Sequence, residues 1–129
     1  MTLEEAKTAF AEDIYATETT GIQIVEIGEQ YAKCSLAVNR SHHAAGGHVM
    51  GGAIFTLADF AFAVASNSGG QKTLTANSSI TYLGQPKDNT LIAECTCLRN
   101  GRRTCTYEIY VLDGRGSRVA YITTNGMHV

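Results

Sequence analysis

The chain has 129 residues, of which 44% are hydrophobic and 17% charged, with a formal net charge of −2. Its size is that of one ordinary domain, and its balance of apolar and charged residues is that of a folded globule. These figures exclude a (β/α)₈ barrel, which needs about 250 residues, a second regulatory domain, and the strongly basic surface of a nucleic-acid binder. A chain this short has little room for a deep private pocket, so an enzyme built from it is expected to share its sites between subunits.

The N-terminus, MTLEEAKTAF, carries acidic residues early and no apolar core, unlike a secretory signal. Residues 2–15 read as a helix: Ala6, Phe10, Ile14 and Tyr15 fall at helical spacing, and Thr2 with Glu5 can form a capping box. Thr17–Gly21 breaks it. Ile22–Ile27 and Tyr31–Val38 are two strands joined around Gly28-Glu29, and Asn39–Met50 is a polar loop bearing glycines and histidines. Gly51–Asn67 reads as one long helix with apolar residues on every face, stopped by Ser68-Gly69-Gly70. Four strands follow: Thr75–Leu83, Thr90–Leu98, Arg103–Leu112 and Ser117–His128, with turns at 84–89, 99–101 and 113–116.

The order helix, two strands, long helix, four strands describes a single α+β domain over residues 1–129 with antiparallel pairing. A helix that is apolar all round must be buried on most sides. The sheet must therefore curl around it, or a second subunit must cover the rest. The longest apolar stretch, Ala53 to Ala65, is too short for a membrane span and contains Asp59, so no membrane partner is expected. Cys34, Cys95, Cys97 and Cys105 form no C-x-x-C pair and have no histidine at ligand spacing. They read as buried or half-buried thiols in a reducing cytoplasm, not as a metal site.

Asp59 is the only charge between Arg40 and Lys72 and sits in the middle of the apolar helix. A buried carboxylate is costly unless paired or neutralised. It either bonds a neighbouring strand or a subunit interface, or serves as a reactive base or nucleophile in a dry site. Gly51-Gly52 opens the same helix. Two glycines there either allow close packing against the sheet or leave N–H groups bare at the positive end of the helix dipole, suited to an oxyanion or a polarised carbonyl oxygen. Gly51 and Asp59 are eight residues apart, about 12 Å along a helix. One straight helix cannot bring both to one carbonyl group. Two such helices packed antiparallel about a twofold axis can, which predicts two composite sites per homodimer.

The run Met50-Gly51-Gly52-Ala53-Ile54-Phe55-Thr56-Leu57-Ala58-Asp59 resembles the H-G-G-x-x-F-x-L-A-D motif of hotdog-fold thioesterases, in particular the phenylacetate-pathway (PaaI-like) acyl-CoA thioesterases. The resemblance continues through Asn67, Ile80-Thr81-Tyr82-Leu83, Pro86 and Gly101-Arg102-Arg103. It implies a curled antiparallel sheet wrapped around one long central helix, an acyl-CoA substrate, no metal or redox cofactor, and a homodimer paired again into a tetramer. It implies that Asp59 is the catalytic base or nucleophile, that the Gly51 N–H polarises the thioester carbonyl, and that Thr75 helps to hold the attacking water. Lys87, Arg102 and Arg103 become candidates for the phosphates of coenzyme A, with plain surface solvation as the alternative. Gly52, Met50, His48, Ala44, Phe55 and Asn77 become candidates for substrate contact. Two positions depart from the pattern. Ala44 stands where the family carries Asn, and Met50 where it carries His, so His43 and His48 are either substitutes or ordinary loop residues. Two rival functions follow: an acyl-thioester hydratase or dehydratase, which would need the missing His, and a non-catalytic acyl-CoA or lipid-binding module.

Overall fold

The structure, a computed structural model, describes residues 1–129. Helix α1 spans Leu3–Phe10 and is fastened by the expected capping box: Glu5 N–H donates to Thr2 Oγ1 (3.1 Å) and Thr2 N–H to Glu5 Oε1 (2.9 Å). It stops five residues short of the expected end. Phe10 turns in to meet Phe60 edge-on, at 6.2 Å between ring centres, and the Thr17 hydroxyl takes the free carbonyl of Ala11 (3.2 Å). Tyr15–Thr20, where the sequence predicts a break, is a π-helical turn. Gly21 closes it from the left-handed region (φ 91°), its N–H donating to Ala16 O.

Six strands form one antiparallel sheet: β1 (Gln23–Gly28), β2 (Tyr31–Ala37), β3 (Thr73–Tyr82), β4 (Thr90–Asn100), β5 (Thr104–Asp113) and β6 (Arg118–His128). They lie in the order β1-β2-β4-β5-β6-β3, so β1 and β3 are the edges. The central helix α2 runs Gly51–Asn67, as the sequence predicts. The sheet is curled around it, and the cause is visible in the ladder. Four of the five strand pairs carry a one-residue register shift; only β2–β4 runs true. An extra residue on one strand bends it and raises its twist, and repetition across the sheet wraps it into a half-cylinder.

The core lies between α2 and the concave face. Ile54, Leu57, Ala58, Ala61, Phe62, Val64 and Ala65 meet Leu36, Leu91, Ala93, Ile109, Val111 and Ile122, all almost fully buried. Phe62 stands edge-on to Tyr107 at 5.3 Å, in space that exists because Gly126 has no side chain: a Cβ there would lie 2.8 Å from the ring. Cys34, Cys95 and Cys105 are buried and Cys97 half-buried, all as free thiols. Burial pushes the Cys34 thiol up to about 12, which keeps it inert. No helix is long and apolar enough to cross a membrane.

Candidate functional site

The sheet does not cover all of α2. Phe55, Thr56, Asp59 and Ala63, which share one side of the helix at three- and four-residue steps, are only half-buried. Beside them, Asp13, Ile14, Tyr15 and Ala16 from the N-terminal segment wall off a cleft of about 460 Å³. A smaller cleft of about 240 Å³ lies at the start of the helix, lined by Met50, Gly52, Ala53 and His42. Tyr15 lines both and is 67% exposed. The reading of 2–15 as one helix hid this. The π-helical turn, not a continued α-helix, brings Asp13, Ile14 and Tyr15 to Asp59. The available signal was an Ile-Tyr pair beside a Thr-rich, glycine-ended run.

Asp59 Oδ1 lies 3.4 Å from the Thr75 hydroxyl, a long contact in which Thr75 donates. Burial raises the Asp59 carboxyl above the ordinary carboxylate range. The Thr75 contact opposes this, and the Asp13 charge adds to the rise.

Strand β3 is held to α2 at its start by Asn67. Asn67 Oδ1 accepts from Thr73 N–H (2.8 Å), while Asn67 Nδ2 donates to Thr73 O (3.2 Å) and Ala63 O (2.9 Å). Two residues on, Thr75 faces the helix. The ladder then shifts: Thr75 pairs with Gly126 but Asn77 with Asn125, leaving Ala76 without an opposite residue. From there the facing residues are even-numbered. Ser78 bonds the buried Thr124, and Tyr82 reaches the start of α2, its hydroxyl donating to Gly51 O at 3.0 Å. One irregularity thus lets an odd-numbered Thr75 and an even-numbered Tyr82 meet the two ends of the site.

The N–H groups of Gly51 and Gly52 have no acceptor in the chain, because the first intrahelical bonds are those of Ala53 and Ile54 to Met50 O. The two glycines differ. A Cβ on Gly51 would sit 2.9 Å from the Tyr82 ring, whereas Gly52 faces open space save for Met50 Cγ at 3.9 Å. Close packing therefore accounts for Gly51, alongside its bare N–H.

The loop 39–50 is pinned. His42 Nε2 meets Thr20 O (2.8 Å), and its Nδ1 accepts from Asn39 N–H (3.0 Å), so the two partners set the neutral Nε2–H tautomer. Gln85 Oε1 accepts from Val49 N–H (2.7 Å). His43 and His48 are exposed and Ala44 is half-buried. Met50, at 52% exposure, forms one wall of the smaller cleft.

Other expected site residues are not brought together within one protomer. Asn77 lies on the convex face, where its Oδ1 accepts from Asn125 Nδ2 (2.8 Å), and Asn125 Oδ1 accepts from Thr106 (2.6 Å). The shift at Ala76 turns Asn77, a candidate for substrate contact, to the face opposite Thr75. Lys87 sits at the Tyr82 end of the sheet, its N–H donating to Asp113 Oδ2 (2.8 Å). Arg102 and Arg103 are at the opposite end, where Arg103 O accepts from His128 N–H (2.9 Å).

Comparison with known proteins matches this geometry. Residues 46–120, more than half of the chain, match the family model of the thioesterase superfamily. An esterase-type protein of Archaeoglobus fulgidus is 38% identical over 104 residues, 80% of this chain and 68% of that one. The structure of the Escherichia coli PaaI protein of the phenylacetic acid degradation operon superposes with a TM-score of 0.86 at 25% identity, covering 99% of this chain and 96% of that one. A Streptococcus mutans protein, solved with acetyl-CoA bound, matches with a TM-score of 0.79 at 28% identity, covering 84% and 88%. The motif, the curled sheet and these matches agree: the chain belongs to the thioesterase superfamily, as a PaaI-like protein of hotdog fold.

Proposed function

We propose that the protein hydrolyses an acyl-CoA or aryl-acyl-CoA thioester to a free acid and coenzyme A. The observation that carries this is Asp59: a half-buried carboxylate, bonded by Thr75 at the edge of an apolar cleft, on a helix whose first N–H groups are unpaired. Asp59 acts as base on water or as nucleophile on the thioester carbon. The carbonyl oxygen, negative in the tetrahedral intermediate, is held by the Gly51 N–H. The carbon–sulfur bond then breaks and the leaving thiolate is protonated. On the base route the proton is the one that Asp59 took from water. On the nucleophile route water hydrolyses the acyl–Asp59 anhydride to the free acid and restores the carboxylate, its second proton going to the thiolate. These steps use protein groups and water alone.

Two similarities support the reading. The S. mutans relative binds acetyl-CoA. In a Streptococcus pneumoniae relative 25% identical to this chain, alanine variants were made at an aspartate and at a threonine sixteen residues apart. Asp59 and Thr75 have the same separation.

The site is proposed to be shared. Gly51 and Asp59 lie at opposite ends of β3, facing Tyr82 and Thr75, so neither protomer holds a complete set. β3 is an open edge of ten residues. Pairing two such edges antiparallel sets Gly51 of one protomer near Asp59 of its partner. It also brings the Lys87 end of one chain to the Arg102 and Arg103 end of the other, where the three cations can meet the phosphates of coenzyme A. A second pairing into a tetramer, with the chain working in the cytoplasm, completes the reading.

The test is turnover of a panel of acyl-CoA thioesters, followed by trapping the released thiol, for wild type and Asp59→Asn. Turnover lost in the variant is the expected result. Turnover that survives it removes Asp59 from the mechanism. Tight acyl-CoA binding without turnover by the wild type would favour a binding module.

A further inference from the structure

Tyr82 is absorbed by neither the core nor the roles assigned above. It is 50% exposed, yet its hydroxyl donates to Gly51 O at 3.0 Å and its ring lies where a Gly51 side chain would be. We infer that Tyr82 is a positioning residue for the carbonyl-binding end of α2, acting through Gly51. This rests on the reading of that end as the thioester site.

The argument is geometric. A helix that opens on Met50-Gly51-Gly52 has no side-chain cap, and two glycines make its first turn the least constrained of the helix. Unheld, the N–H groups of Gly51 and Gly52 would sample many directions, and a donor must be aimed before the reaction to be useful. Tyr82 supplies the constraint from the sheet. Its ring abuts Gly51 on one side and its hydroxyl holds the Gly51 carbonyl, so the peptide joining Gly51 to Gly52 is fixed in plane. A hydrogen bond accepted by that carbonyl also strengthens the N–H at the other end of the same peptide, that of Gly52. The phenol is thus coupled directly to the Gly52 N–H and, through the Gly51 Cα that its ring abuts, to the Gly51 N–H assigned to the thioester carbonyl, without touching the substrate. The shift at Ala76 fits this role, because it is what turns Tyr82 toward α2.

The test is Tyr82→Phe, which keeps the ring and deletes the hydroxyl, with Tyr82→Leu beside it. In Tyr82→Phe, kcat is expected to fall about tenfold with KM within about twofold and the melting temperature unchanged. A role in packing alone predicts the opposite: no change in Tyr82→Phe, and loss only in Tyr82→Leu. Amide resonances of Gly51, Gly52 and Phe55 provide a readout independent of turnover, and they are expected to shift in Tyr82→Phe. An unchanged kcat, a loss confined to KM, or unmoved amides would overturn the inference. If the wild type turns over no acyl-CoA, the functional reading fails by itself, and the amide resonances still decide whether Tyr82 holds Gly51.

Discussion

Asp13 and Asp59, one from the N-terminal segment and one from the central helix, line the same cleft, and no Lys, Arg or His lines it with them. The first charge therefore raises the energy of the second, on top of burial. If ionised Asp59 is the working form, activity falls as the pH drops through its raised value. The acid limb of kcat/KM is expected above the ordinary aspartate range. Asp13→Asn removes one contribution to the rise, so the limb should move to lower pH with the plateau little changed. Rates between pH 3.5 and 7 check this, and a limb that stays in place would exclude the Asp13 effect.

Asp59→Asn should separate activity from stability. Loss of a base or nucleophile costs about 10²–10⁴-fold in turnover. Stability moves the other way. A folded-state value raised above the unfolded one means that ionisation opposes folding. The wild type accordingly loses stability as the pH rises from the unfolded value through the folded value. The variant lacks this slope. It should melt higher than wild type at pH 7 and level with it near pH 3.

Asp113 illustrates the reverse sign. It is 1% exposed, and its two oxygens accept three backbone bonds, from Lys87 N–H on Oδ2 and from Arg115 and Ser117 N–H on Oδ1, while the neighbouring Asp88 takes Gly114 N–H. The Lys87 N–H is the largest cause holding the Asp113 carboxyl below its usual range, against an opposing contribution from burial. The stability it lends is present above the unfolded value and is lost as the pH falls through the lowered one. Asp113→Ala should lower the melting temperature at pH 7 and flatten its dependence on pH in the acid range.

Asn67→Ala removes both amide contacts to Thr73 and leaves a partly buried N–H and C=O less well paired. The expected cost is about 1–3 kcal/mol in urea unfolding. A fall in kcat larger than the loss of folded protein is expected as well, because Thr73 leads directly into Thr75.

Sharing of the site has its own test. Chains carrying Asp59→Asn are mixed with chains carrying Gly51→Val, whose side chain would strike the Tyr82 ring. Each parent should be inactive. Random re-pairing should restore about one quarter of wild-type activity, one intact site in each hybrid. No recovery would place each site within one protomer.

The central helix was legible from Gly51 to Asn67 because an apolar run with glycines at both ends leaves few alternatives. The succession of strands along the chain follows from the same kind of pattern and the curl from the apolar helix together with the motif, whereas the order β1-β2-β4-β5-β6-β3 is given by the structure alone. What could not be read lies where contacts distant in sequence decide the outcome. The end of α1 depends on Phe60 meeting Phe10, and the cleft wall depends on a π-helical turn whose Thr and Glu residues carry no apolar period. The role of Asp113 depends on three N–H groups supplied by two different turns. Asn77 stands away from Thr75 for a local reason: strand alternation counts residues evenly, and the chain has one to spare at Ala76.

That spare residue sets a rule for how β3 can change length. Seven steps, an odd number, separate Thr75 from Tyr82, and the unpaired Ala76 restores the alternation that lets both side chains face the helix. Removing Ala76 would leave a regular ladder of six steps in which Thr75 and Tyr82 still share a face. Removing one paired residue after the shift, with the irregularity kept, would send Tyr82 out through the far side of the sheet. A single-residue deletion is therefore tolerated at Ala76 and becomes, one residue later, a lesion that uncouples one end of the site.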